Sequence, residues 1–177
     1  PYVSRDQYDD IAHGFLLRYF PEALQKGTPV DPAIVAKRMG LVIQERRIRR
    51  DGTVFGQSFF CDGRTTFYDA GKDTDVEEQV KAGTIVIDPD ANATLSFNSR
   101  NITVIHECLH FYLHAKAVRF AKALDHRISS LRCLSTGSLD NQEEEEDFKF
   151  AEIQANAIAP CVLMPRKQFI DAFKEEE

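Results

Sequence analysis

Ile105-His106-Glu107-Cys108-Leu109-His110-Phe111 places an H-E-x-x-H pattern inside an apolar run, and the fold is read outward from it. At roughly 100° of rotation per residue, His106 and His110 lie about 40° apart and one turn apart, so their imidazoles can converge on one ion. Glu107 sits at the edge of that face. Thr103 and His114 extend the polar stripe, while Ile102, Ile105, Leu109, Tyr112 and Leu113 form a broad apolar face, with Val104, Cys108 and Phe111 nearly opposite the histidines. Such a helix is buried nearly all round. Ionisable groups are costly to bury alone, so the stripe calls for a metal, a charge partner or a water-filled cleft.

The chain has 177 residues, 43% of them hydrophobic, with 13 Phe and a net charge of −6. That bounds it to one sizeable core and makes a single domain over 1–177 the expectation. The acidic balance gives no case for direct nucleic-acid binding, although Arg46, Arg47, Arg49 and Arg50 form a local basic cluster, read as a solvated strand end. No apolar run reaches the roughly 20 residues that span a bilayer, and no signal pattern opens the chain, so a cytoplasmic protein without membrane contact is expected. The four cysteines lack C-x-x-C spacing and read as reduced structural thiols. The chain opens at Pro1 and stops mid-pattern in Lys174-Glu175-Glu176-Glu177, as a trimmed chain would.

Apolar spacing predicts a helix from Arg5 to Phe20, closed by Pro21. Asp31 as N-cap and Pro32 at the first position predict a second helix through Met39, ended by Gly40. Strands are predicted at 41–45 and 54–60, joined by an arginine-rich turn with Asp51-Gly52, then at 65–68 and 84–88. Residues 71–82 read as loop or frayed helix. The short links favour a small, largely antiparallel sheet. The metal helix is predicted from Asn98 or Ser99 to at least His114, with helical composition to Leu124 and His126 on its surface. A loop follows over 129–140, then an acidic run from Glu143 to Asp147 that suits a helix start. The last strong helix covers Phe148 to Met164 and contains Pro160; a short final helix carries Phe169, Ile170 and Phe173.

A catalytic zinc keeps three protein ligands and an open position, so a third ligand must come from elsewhere. A metzincin pattern would need Gly at 113 and His at 116, where the chain has Leu113 and Lys116. His114 is too far along the axis to share an ion with both other histidines. Glu152 is the better candidate, on a separate helix beside Asn156 as an orienting group; Cys133 is the weaker one. Cys133-Leu134-Ser135 is like a deformylase segment, but it follows the histidine helix and is led by Leu131-Arg132 in place of Glu-Gly.

Pro29-Val30-Asp31 to Gly40-Leu41, the Ile85-Val86-Ile87 strand, the H-E-x-x-H helix with Leu113-His114, and Glu152-Ile153-Gln154-Ala155-Asn156 with Leu163-Met164-Pro165 together resemble the ImmA/IrrE family of zinc metallopeptidases. The resemblance implies a zincin-like α+β domain with Zn2+ held by His106, His110 and Glu152, and Glu107 as catalytic base. It also implies a protein substrate, typically a helix-turn-helix repressor whose cleavage derepresses genes. Cys108-Leu109 stands where the family usually has Leu-Gly, and Pro160 is unusual in the last motif. Tyr112 and His114 are candidates for oxyanion stabilisation, and an exposed edge strand beside the metal helix is expected to receive substrate. The competing reading is a non-catalytic zinc-binding regulatory domain; retention of Glu107 favours the enzyme, since a structural site needs no base.

Overall fold

The computed structural model describes residues 3–93, 98–118, 130–134 and 146–175. After a 3-10 turn at Arg5–Gln7, α1 (Tyr8–Tyr19) buries Ala12, Phe15 and Leu16. A short α2 (Glu22–Lys26), not anticipated from sequence, follows Pro21. In α3 (Pro32–Arg38) the Asp31 carboxylate accepts from the backbone N–H of Ala33 at 2.9 Å and of Ile34 at 3.3 Å, satisfying two donors that the first turn leaves open. Gly40, at φ 75°, lets the chain reverse so that Leu41 N–H reaches the Ala36 carbonyl.

Four strands form one sheet in the order β1-β5-β2-β6, with β1 at Val42–Glu45, β2 at Val54–Phe59, β5 at Thr84–Ile87 and β6 at Ser130–Leu134. β3 (Gly63–Asp69) and β4 (Thr74–Val80) pair separately as an antiparallel hairpin. Two sequence expectations are corrected here. β1 and β2 are not neighbours: β5 lies between them, parallel to β1 with Val42 opposite Thr84, and antiparallel to β2 with Gly56 opposite Ile87. All four β5 residues are buried, so it takes the centre, whereas β1, carrying Gln44 and Glu45, takes an edge. The crossover is made by β2 and the hairpin, so no helix is needed. The polar stretch at 71–82 contains β4, where Val76 and Val80 share a face and the rest is held by pairing with β3.

The loop expected over 129–140 likewise contains β6, which pairs antiparallel with β2 through Gly56 opposite Cys133 and Ser58 opposite Leu131. The expectations for His126 and for the start of the acidic run at Glu143 lie outside the described residues, as does the side chain of Cys133.

One face of the sheet packs on helices. Ile85 and Ile87 meet Phe15 and Leu16 of α1, Val35 of α3, Ile105 and Leu109 of α5 (Ser99–Leu109), and Ile158 and Val162 of α6 (Glu146–Leu163). Each such side chain contributes about 1.5–3 kcal/mol on burial. The other face is covered by the hairpin through Val54, Phe59, Phe67, Val80 and Val86. The arginine cluster finds its acids within the protein: Arg46 pairs with Glu78, Arg47 with Asp90 and Arg50 with Asp73, at 3.6, 3.5 and 3.1 Å. At the surface such pairs contribute little individually.

The histidine helix continues past α5 through a π-helical turn, His110–His114, and is α-helical again over 115–118. α6 runs through Pro160 without interruption, its small face of Ala151, Ala155 and Ala159 buried, and Pro165 separates it from α7 (Arg166–Glu175). Cys108 and Leu109 are fully buried in the main core, so both side chains between Glu107 and His110 are taken up by apolar packing.

Candidate metal centre

A buried polar hub fixes α5 against β2. Asn92, in α4 (Pro89–Ala93), donates from Nδ2 to the carbonyls of Phe55 and Asp88, and its Oδ1 accepts from the hydroxyls of Ser99 and Thr103 at 3.0 and 2.7 Å. Residues of β2, α4 and α5 are thereby tied at one point, one turn before His106.

From that base His106 and His110 project towards α6, both fully buried, with ring centroids 4.6 Å apart and nearly perpendicular. Their Nε2 atoms face each other at 2.8 Å. Glu152 of α6 closes the triangle, Oε2 lying 3.2 Å from His106 Nε2 and Oε1 2.9 Å from His110 Nε2. The three donor groups lie within 4.8 Å of one another, and among the described residues they are the one such group of possible metal ligands. Two imidazole lone pairs and a carboxylate aimed at one point suit a divalent cation, since hydrogens on two nitrogens cannot satisfy all three contacts at once.

The electrostatics agree with that donor set. Burial pushes the His110 imidazole down to about 4, against the opposing pull of Glu152. Burial alone would raise the Glu152 carboxyl, but the facing His110 and the hydrogen bonds from both imidazoles outweigh it and hold it at about 2. At neutral pH the site therefore presents a neutral His110 and an ionised carboxylate, the forms in which these groups bind metal.

Glu107, next to His106 in sequence, lies against β2 of the sheet. Its Oε2 accepts from the Ser58 hydroxyl at 2.5 Å, and the same hydroxyl lies 3.2 Å from the Glu107 carbonyl oxygen. The carboxylate is fully buried against Gly56, where a Cβ would stand 2.6 Å from Oε1 and 2.7 Å from Thr103 Cγ2. Only a glycine at 56 leaves room for the acid. The Cys108 thiol, pushed up by burial and by neighbouring Glu107, stays protonated.

His114 is brought to the centre and the other two auxiliary candidates are not. Its Nδ1 lies 3.2 Å from His110 Nδ1 and its Nε2 3.0 Å from Gln154 Oε1, all three side chains being buried. Burial holds the His114 imidazole below its usual range. Tyr112 instead packs edge-on against Phe15 and Tyr19 of α1, because two residues beyond His110 the helix has turned towards that side. Asn156 is exposed and its side chain has no hydrogen bond to another described residue, since the helix face carrying Glu152 leaves the core one turn later. β2, the strand beside α5, is not an edge; β6 pairs along it. Sequence reasoning missed Ser58, Gly56, Asn92 and Gln154. Of these only Gln154 carried a signal, two residues beyond Glu152 and therefore on an adjoining face of the same helix.

A family model described as the IrrE N-terminal-like domain, a peptidase family, matches residues 66–177, a span that includes His106, Glu107, His110 and Glu152 but not Gly56 or Ser58. No curated protein and no solved structure matches the chain.

Proposed function

From the premise that this chain belongs to the IrrE N-terminal-like family of metallopeptidases, we propose that it is a zinc-dependent endopeptidase that cuts one cognate protein. The observation that carries the reading is the convergence of His106, His110 and Glu152 on one point, with Glu107 adjoining in sequence. In this assignment those three residues hold the ion. Bound there, zinc supplies Lewis acidity towards a peptide carbonyl and makes water a usable nucleophile near neutral pH. Glu107 is the base: it takes the proton from the attacking water and returns it to the departing amine. Ser58 restrains its carboxylate, so orientation is established before substrate arrives.

Selectivity is assigned to docking. Among the described residues, a cavity of about 400 Å³ lies between α1, α2 and α7, lined by Asp10, His13, Leu24 and Ile170, and another lies beside the arginine link with Arg49 and Thr66. Neither includes a proposed ligand, and in this reading remote contacts with a folded partner place the scissile segment. A helix-turn-helix repressor in the same cytoplasm is the substrate that the family resemblance suggests. No described helix is long and apolar enough to cross a membrane.

The test is incubation of the zinc-loaded protein and its Glu107→Gln variant with casein and with the repressor encoded beside it. A single cut in the repressor, lost in the variant while zinc is retained, is expected. Digestion of casein at many sites defeats the docking argument, and loss of zinc in the variant defeats the role given to Glu107. Binding of the repressor without cleavage would favour the regulatory alternative.

A further inference from the structure

His114 is spent on neither metal nor solvent. It stacks one turn beyond His110 within the π-helical turn, with its two ring nitrogens bracketed by His110 Nδ1 and Gln154 Oε1. π turns are uncommon and recur at functional sites. This one sets two imidazoles four residues apart with their Nδ1 atoms at 3.2 Å, close enough that one must carry a hydrogen and the other must not.

The direction of that bond follows from its two ends. At one end His110 Nε2 points at His106 Nε2 and Glu152, so its lone pair faces the metal position and the ring hydrogen must sit on Nδ1. That hydrogen is donated to His114 Nδ1, which must be bare. His114 is then protonated on Nε2 and donates to the Gln154 carbonyl oxygen, an acceptor. Each hydrogen bond has one donor and one acceptor, and all point away from the metal. Run the other way, the chain would place a hydrogen on His110 Nε2, where it would block the ion.

We propose that Gln154 and His114 form a one-way hydrogen-bond relay that fixes His110 in its metal-binding tautomer and raises its donor strength. His114 and Gln154 are positioning residues here, acting through His110. The proposal rests on the metal-centre reading above. It extends that reading to α6: Glu152 supplies one oxygen to the centre directly, and Gln154, two residues on, supplies another through two imidazoles. One helix thus serves both the ion and the partner of its ligand, as orienting groups around metal-bound histidines commonly do.

The experiment measures zinc affinity by competition with a chromophoric chelator, alongside thermal melting of the metal-free protein, for Gln154→Leu, Gln154→Glu and His114→Asn. Loss of the acceptor in Gln154→Leu should weaken zinc about 10- to 100-fold. Gln154→Glu should bind zinc at least as tightly as the parent although the buried carboxylate lowers the metal-free melting temperature; a merely structural residue would move both quantities together. His114→Asn, which offers an acceptor oxygen and a donor amide, should fall between Gln154→Leu and the parent. In long-range 1H–15N spectra of the zinc-loaded protein, His110 should carry its hydrogen on Nδ1 and His114 on Nε2. A hydrogen on His114 Nδ1, or unchanged zinc affinity in Gln154→Leu, overturns the relay. His106→Ala and Glu152→Gln serve as controls: if they leave zinc affinity intact, the metal-centre reading itself fails, whereas their loss with an unchanged Gln154→Leu removes the relay alone.

Discussion

Gly56→Ala and Gly14→Ala add the same methyl group and should change stability in opposite directions. At position 56 the new Cβ would lie 2.6 Å from Glu107 Oε1, 2.7 Å from Thr103 Cγ2 and 3.1 Å from Glu107 Cδ. Neither neighbour can yield easily. The Thr103 hydroxyl is held by Asn92 Oδ1 at 2.7 Å and by the Ser99 carbonyl at 3.0 Å, and the Glu107 carboxylate is held by Ser58. Overpacking of this kind costs about 1–3 kcal/mol. Each kcal/mol lowers the melting temperature of a protein this size by roughly 2–4 °C, so a central value of about 2 kcal/mol gives a drop of roughly 4–8 °C. At position 14, inside α1, the nearest atom is Tyr112 Oη at 3.6 Å, an ordinary contact. There the helix gains about 0.5–1 kcal/mol from losing a flexible residue, raising the melting temperature by roughly 1–4 °C. Calorimetry of the metal-free variants measures both shifts. Gly56→Ala should also lose cleavage while keeping zinc, since it displaces the base and spares the ligands. A Gly56→Ala protein that melts within 1 °C of its parent, on the order of the smallest shift expected at position 14, would refute the contact as described.

Three further outcomes are expected. Ser58→Ala should leave zinc binding intact and weaken cleavage, because it frees the Glu107 carboxylate without touching a ligand; equal loss of metal would show that β2 supports the histidines too. The buried Asp88 carboxylate accepts from the N–H groups of Ile48, Asp90 and Ala91 at 2.7, 3.0 and 3.0 Å, so Asp88→Ala should cost on the order of 3 kcal/mol in urea unfolding. A loss under about 0.5 kcal/mol, the usual surface range, would contradict that role. Acid should loosen the metal-free protein: His110 titrates at about 4 when folded against an ordinary 6.5, so the unfolded chain binds the extra proton in between. That stability is full above pH 6.5 and drains as pH falls towards 4, by up to about 3 kcal/mol, with Glu152 adding a further loss from 4.5 down to about 2. A urea midpoint that stays level between pH 7 and 4 would count against it.

What the sequence could disclose divides along physical lines. Local signals carried well: Asp31-Pro32 with Gly40 bounded α3, the apolar run of β5 announced a buried strand, and the spacing of His106 and His110 placed both on one face. Glu152 was reachable because a second helix with a small-residue face has to pack somewhere, and its acid was the polar group beside that face. Strand order was not legible. β1 and β5 are joined through β2 and the hairpin, and nothing local to either strand states which will be its neighbour. β4 was missed for a related reason: Thr74–Val80 is mostly polar and becomes a strand through pairing with β3 and the covering of Val80. Ser58 and Gly56 meet Glu107 only after β2 is laid under α5, so their roles belong to tertiary structure, as does the placing of Tyr112 against α1.

The packing of α1 on α6 sets the order in which the molecule can be assembled. Phe15 and Leu16 of the first helix share their core with Ala155, Ile158 and Ala159, which are among the last residues of that core to be synthesised. Contacts this distant in sequence form slowly, because a long chain must close before any of them is gained. On the ribosome, at roughly 5–20 residues per second, a few seconds separate the emergence of His110 from that of Glu152. Through that interval the imidazole pair stands without its carboxylate and the apolar faces of α1 and α5 stand uncovered. A nascent chain therefore cannot bring His106, His110 and Glu152 together until α6 docks, and under the proposed function hydrolysis begins only then.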